Sequence, residues 1–157
     1  MAASGKVWDE ELNKMAHYRD LAKHPNETIR NMWIRGAENE FARLFQGYKD
    51  IKGLNVLEWI HLDDVPKGQT VTYSRWTVAF RPEKAEQNRV RITAGGDRLE
   101  YDGNVSTSVS GMETFKSLLN STVSTPGAKM LTGDINNMYL NSFLGKPEYM
   151  RFAVELI

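Results

Sequence analysis

A chain of 157 residues suffices for one domain with a modest core or for one part of a larger one. Twenty basic side chains balance twenty acidic ones, so global charge points to no polyanionic partner and any basic surface must come from local clustering. The lack of cysteine excludes a disulfide scaffold and thiolate metal sites, no apolar run approaches a membrane span, and the start MAASGKVWDEELNK has no signal-peptide core, so the expected setting is intracellular (cytoplasmic or nuclear) with no membrane partner.

Without repeats or low-complexity linkers, residues 1–157 read as a single unit. Val7 to Lys23 is predicted as a polar helix spotted with Met and Leu, broken at HPNE, which makes residues 1–28 an N-terminal helical extension. A second helix is predicted from about Glu27 to Tyr48, where Ile34, Ala37, Phe41, Leu44, Phe45 and Tyr48 recur at spacings of three and four and form one apolar stripe. LNVLEWIHL (54–62) reads as a strand ending in the turn chemistry of DDVPKGQ. TYSRWTVAFR and NRVRITAGG follow as two strands joined by the polar PEKAEQ. Trp76, Val78 and Phe80 share one face of the first, opposite Arg75, Thr77, Ala79 and Arg81; in the second, Val90 and Ile92 oppose Arg89, Arg91 and Thr93. The pair is expected to be a hairpin with an apolar inner face and an arginine-rich outer one.

Past a loop through GGDRLEYDGNVSTS, a helix is predicted from about Gly111 to Val123, with Met112, Phe115, Leu118 and Leu119 as its apolar stripe. STPGA is a turn, KMLTGDI a short strand, NNMYLNSF a helical turn and EYMRFAVELI the last strand. Helices and strands mix without regular alternation, which places the chain in the α+β class: two N-terminal helices, then a mixed, mainly antiparallel sheet with packed helices.

Familiar catalytic patterns are missing. His17, His24 and His61 have no metal-ligand spacing, no phosphate-cradling glycine loop opens a helix, and no G-x-S-x-G elbow occurs. The hairpin region is more informative: Val71 to Arg98 holds six basic residues (Arg75, Arg81, Lys84, Arg89, Arg91 and Arg98) against three acidic ones. Guanidinium forks on one strand face suit phosphate, whereas the ordinary meaning of such a face is a solvated sheet surface. Asp134, at the end of a short apolar run, also has two readings. A carboxylate there can hold a divalent cation, but on spacing alone it more often caps the turn that follows.

Taken together, the segments resemble the reverse transcriptase of copia-type (pseudoviral) LTR retrotransposons. DINNMYLNSFLGKPEYM is similar to that family's first catalytic motif, RWTVAFRPEKAEQNRVRITAGGDRLEYDG to its fingers hairpin, STSVSGMETFKSLLNSTVS to the helix after it, and AENEFARLF to the helix that opens the domain. The resemblance runs from about Trp33 to Arg151 and implies that residues 29–157 are the fingers and start of the palm. Arginines replace some usual fingers lysines, and Lys116 stands where the family commonly has arginine. By the resemblance, Asp134 would be catalytic and would hold Mg²⁺ with the carbonyl of Ile135. Tyr139 would lie under the sugar of an incoming nucleotide, with Arg81, Lys84, Arg89 and Arg91 near its triphosphate and Arg75 and Arg98 on nucleic-acid phosphates. The partners implied are an RNA or DNA template–primer and dNTPs. The 157 residues contain no Tyr-x-Asp-Asp, the family's second carboxylate motif, so this portion is expected to be inactive alone. The missing palm strands would leave an exposed sheet edge that favours self-association. The alternative is a nucleic-acid-binding or structural module of the same fold without catalysis.

Overall fold

The N-terminal segment forms a hairpin where a helix is expected. In the computed structural model, which describes residues 5–101, 103, 110–133, 135–142 and 144–153, β1 (Val7–Asp9) pairs antiparallel with β2 (Lys14–Ala16). Asp9 Oδ1 accepts the Leu12 N–H at 2.9 Å and Asn13 takes a left-handed φ of 50°, so side-chain-to-backbone bonding turns the chain before a helix can nucleate. Only one helical turn follows, α1 (Tyr18–Leu21). Lys14 Nζ donates to Asp20 Oδ1 at 2.7 Å and the His17 N–H to Oδ2 at 2.9 Å; these bonds, the lysine's first, hold the Asp20 carboxyl below its ordinary range.

Asn26 then caps α2 (Glu27–Leu44), its side chain accepting the Thr28 N–H at 3.0 Å. The helix stops short of Tyr48, which belongs to a minimal hairpin of β3 (Gly47–Tyr48) and β4 (Ile51–Lys52). Residues 54–62, expected as a strand, form none: 53–61 have no regular structure and Leu62 opens a 3₁₀ turn, because the amides of residues 54–57 serve the end of α2. Leu54 N–H donates to Arg43 O (2.9 Å), Asn55 to Phe45 O (2.9 Å), and both Val56 (2.9 Å) and Leu57 (3.2 Å) to Leu44 O. A helix leaves its last carbonyls without internal donors, and this segment supplies them.

The predicted arginine hairpin is present as β5 (Val71–Phe80) and β6 (Asn88–Ala94), antiparallel with Val78 opposite Val90 and Trp76 opposite Ile92. A short β7 (Tyr149–Arg151) pairs parallel with the start of β5, giving the order β6-β5-β7. The molecule is therefore α+β, with a small sheet of mixed but mainly antiparallel pairing. Val78 and Val90 meet Trp33 and Ala37 of α2 and Ala16, Tyr18 and Leu21 of the N-terminal segment in one apolar cluster. Gly36 allows the close approach of α2 to β6: a Cβ there would lie 2.5 Å from Asn88 O.

The buried face of α2 keeps only Ala37 and Leu44 of the expected stripe. Trp33, Gly36, Ala37, Glu40 and Leu44 point inward, whereas Ile34, Phe41 and Phe45 are half-buried. Phe41 lies 5.4 Å from Trp76 and 5.6 Å from Phe152, and Phe45 stacks on Trp59 at 5.0 Å. The helix therefore serves two apolar surfaces, and the expected stripe straddles them, with Ala37 in the first cluster and Phe41 and Phe45 on the aromatic one.

The chain divides into two compact units, Met1–Leu99 with Phe143–Ile157, and Glu100–Ser142. The second carries α3 (Met112–Ser124), close to its predicted bounds, and a 3₁₀ turn at Met138–Asn141 whose cap position falls on Asn137 at φ 54°. Residues 129–133, expected as most of a short strand, pair with no described strand and have no regular structure. Met112, Phe115, Leu118 and Leu119 are exposed, and none of this unit's described residues is buried. Among the described residues, no helix is long and apolar enough to cross a membrane.

Candidate functional site

Strand alternation places Arg75, Thr77 and Ala79 of β5 beside Thr93, Arg91 and Arg89 of β6 on the face opposite Val78 and Val90. Arg81 follows the end of β5, its N–H donating to Gln87 O at 2.8 Å across the mouth of the hairpin connection. Arg75, Arg81, Arg89 and Arg91 thus line one concavity of about 410 Å³. Gly5 supplies a further wall, its carbonyl accepting the Val78 N–H at 3.2 Å.

The four arginines are not equivalent. Arg89 Nη1 donates to Glu86 Oε2 at 3.1 Å, and its Nη2 lies 3.8 Å from Glu40 Oε2. Arg81 Nη2 donates to Glu86 O at 3.1 Å and to Glu86 Oε2 at 3.4 Å. Arg43 of α2 completes the cluster, 2.6 Å from Glu40 Oε2 and 3.7 Å from Glu86 Oε1. Because β6 is an edge strand, Arg89 can turn its guanidinium toward α2 although its Cβ leaves the opposite face. Burial pulls the Arg89 guanidinium below the ordinary arginine value, and Glu40 pulls the other way. The Nε–H groups of Arg81 and Arg89 are buried without a partner among the described residues, where only the terminal nitrogens of these side chains are engaged. Arg75 and Arg91, by contrast, are exposed and have no ion pair among the described residues.

The other expected site residues are placed elsewhere. Lys84 lies exposed in the hairpin connection, outside the groove lining. Arg98, in the 3₁₀ turn Gly96–Arg98, sits over the Tyr73 ring at 5.2 Å, while the Tyr73 hydroxyl donates to Asp97 at 2.8 Å. Ile135 and Tyr139 belong to the Glu100–Ser142 unit and are 67% and 81% exposed. Asp134 lies outside the described residues. Among the described residues no three His, Asp or Glu side chains converge where a cation could sit.

Sequence reasoning missed Glu40, Glu86 and Arg43. Glu40 had a signal: it falls at helical spacing with Trp33, Ala37 and Leu44, and a carboxylate within an apolar face requires a buried partner. Away from the arginine groove, a second concavity of about 550 Å³ is lined by Tyr18, Phe41, Phe45, Tyr48 and Trp59 and is mainly apolar. His24 and Asp9 form a buried pair, Nε2 to Oδ1 3.3 Å, but His24 has no exposed surface and its Nδ1 is occupied by the Asn26 N–H at 3.0 Å, which makes the pair a structural tie. Comparisons with protein-family models, with curated proteins and with solved structures gave no match.

Proposed function

We propose that this chain is the fingers and start of the palm of a reverse transcriptase similar to those of copia-type retrotransposons, and that the outer face of its β5–β6 hairpin binds phosphates of nucleic acid or nucleotide. The supporting observation is the groove in which four arginines of the β5–β6 hairpin converge, two of them without an acidic partner among the described residues. Planar guanidinium groups donate parallel hydrogen bonds to phosphate oxygens, and exposed ones do so without first breaking an internal pair. On this reading Asp134 is one of three carboxylates that hold Mg²⁺ in such an enzyme. The other two belong to a Tyr-x-Asp-Asp motif that these residues do not contain, and Tyr139 is the residue beneath the nucleotide sugar.

Two measurements test the proposal. Template–primer binding is expected to weaken steeply with salt, because each phosphate contact releases counterions, and to fall when Arg75→Ala and Arg91→Ala are combined. A salt-independent affinity, or one unchanged in that double variant, overturns phosphate binding by this face. Primer extension by residues 1–157 in Mg²⁺ is expected to be absent, and incorporation abolished by Asp134→Asn would overturn the inactivity. The second reading, a nucleic-acid-binding module without catalysis, is favoured by the same groove, which needs no metal to bind phosphate. Binding without extension when the Tyr-x-Asp-Asp segment is supplied in the same chain would select it.

A further inference from the structure

The groove's positive charge is divided by two glutamates. Arg81, Arg89 and Arg43 share Glu40 and Glu86 through five contacts of 2.6–3.8 Å, so three positive charges face two negative ones across the junction of α2 and the hairpin. Glu40 is 6% exposed, and Asn39 Nδ2 donates to Glu86 Oε1 at 3.5 Å, which ties Glu86 to the helix as well. Arg75 and Arg91 stand outside this cluster. Their cross-strand partners are Thr93 and Thr77, adjacent positions on one face of the ladder, so the two arginines are diagonal neighbours with Cα atoms about 7–8 Å apart. A phosphate group fits between guanidinium groups based at that separation.

We propose that Glu40 and Glu86 are positioning residues that withdraw Arg81 and Arg89 from ligand binding, leaving Arg75 and Arg91 as the pair that grips the phosphate. This inference rests on the phosphate-binding reading of the face and narrows it from four arginines to two. Arg81 and Arg89 then serve as hairpin-to-helix ties. Removing a glutamate's charge frees positive charge next to the groove, so the inference requires an acidic-to-neutral substitution to tighten anion binding while weakening the fold.

The test is calorimetric titration of the 157-residue chain with inorganic tripolyphosphate, with a thermal melt of each variant. Arg75→Ala and Arg91→Ala are each expected to weaken binding about tenfold or more, with little change in melting temperature. Arg81→Ala and Arg89→Ala should lower the melting temperature and change affinity by less than about threefold. Glu86→Gln should bind about threefold to tenfold more tightly and melt lower. Glu40→Gln is expected to act in the same direction, but its buried site makes the half-buried Glu86 the safer variant, and Arg89→Lys, which keeps the charge, should restore most of the stability lost in Arg89→Ala. Losses in Arg81→Ala or Arg89→Ala as large as in Arg91→Ala, or a Glu86→Gln affinity equal to or weaker than wild type, overturn the division of labour while leaving phosphate binding intact. A wild-type chain that does not bind tripolyphosphate overturns both.

Discussion

His24 has no exposed surface, yet both ring nitrogens are used: Nδ1 accepts the Asn26 N–H, so the proton is on Nε2, which faces Asp9 Oδ1. Arg30 adds a bond from Nη1 to the His24 carbonyl at 2.9 Å. This one side chain joins the N-terminal hairpin to the start of α2. Replacing it with alanine leaves a cavity, a carboxylate short of a donor and an amide short of an acceptor, so His24→Ala is expected to cost about 2–4 kcal/mol in urea denaturation. A loss below about 1 kcal/mol would show that the orphaned groups find other partners. Tyr18 makes a different point. Burial, with Glu38 adding, pushes its phenol from 10.0 up to about 12, while its ring stacks on Trp76 at 4.8 Å. The unfolded chain therefore releases this proton first, so the stability that Tyr18 contributes is complete below pH 10 and is lost as pH rises toward 12. The loss amounts to about 2–3 kcal/mol at most, and it should be absent from Tyr18→Phe when the unfolding free energies of the two proteins are compared between pH 9 and 12. Parallel curves over that interval would refute it.

At the scale of elements, the hairpin was legible because its alternation is strict: Trp76 and Val78 on β5 and Val90 and Ile92 on β6 leave one possible inner face. Helices α2 and α3 were legible from their periodicity, with bounds shifted by the cap at Asn26 and by the competition for the last α2 carbonyls. Segments whose backbone groups find other partners were misread. LNVLEWIHL has strand composition, but no neighbouring strand is available among the described residues, and the α2 carbonyls claim the amides of residues 54–57. The N-terminal helix was lost to an aspartate and an asparagine that bend the backbone. The close packing of α2 on β6 depends on Gly36, so Gly36→Ala, which sets a methyl 2.5 Å from Asn88 O, is expected to cost about 1–3 kcal/mol by forcing the helix off the strand. Thermal denaturation measures the loss. Because Glu40 reaches the hairpin from the same helix, the variant should also loosen the Arg89 tie, seen as faster amide exchange in β6.

For the molecule as a whole, the division into two units predicts unequal local stability. Helix α3 has no buried residue, whereas β5, β6 and α2 share the apolar cluster. Amides of Met112–Ser124 should therefore exchange with solvent far faster than those of Val78 and Val90, and equal protection of the two sets would contradict it. By itself the sequence determined the α+β class, the two longer helices, and the arginine hairpin with its inner and outer faces. These are properties of local periodicity and of side-chain chemistry read along the chain. Only the tertiary structure decided which arginines carry usable charge. Arg81, Arg89 and Arg91 look alike in sequence, but Glu40 is 49 positions before Arg89 and reaches it only because α2 packs on β6. The free energy of a charge depends on the desolvation and ion pairs around it, and these are fixed by contacts between residues remote in sequence.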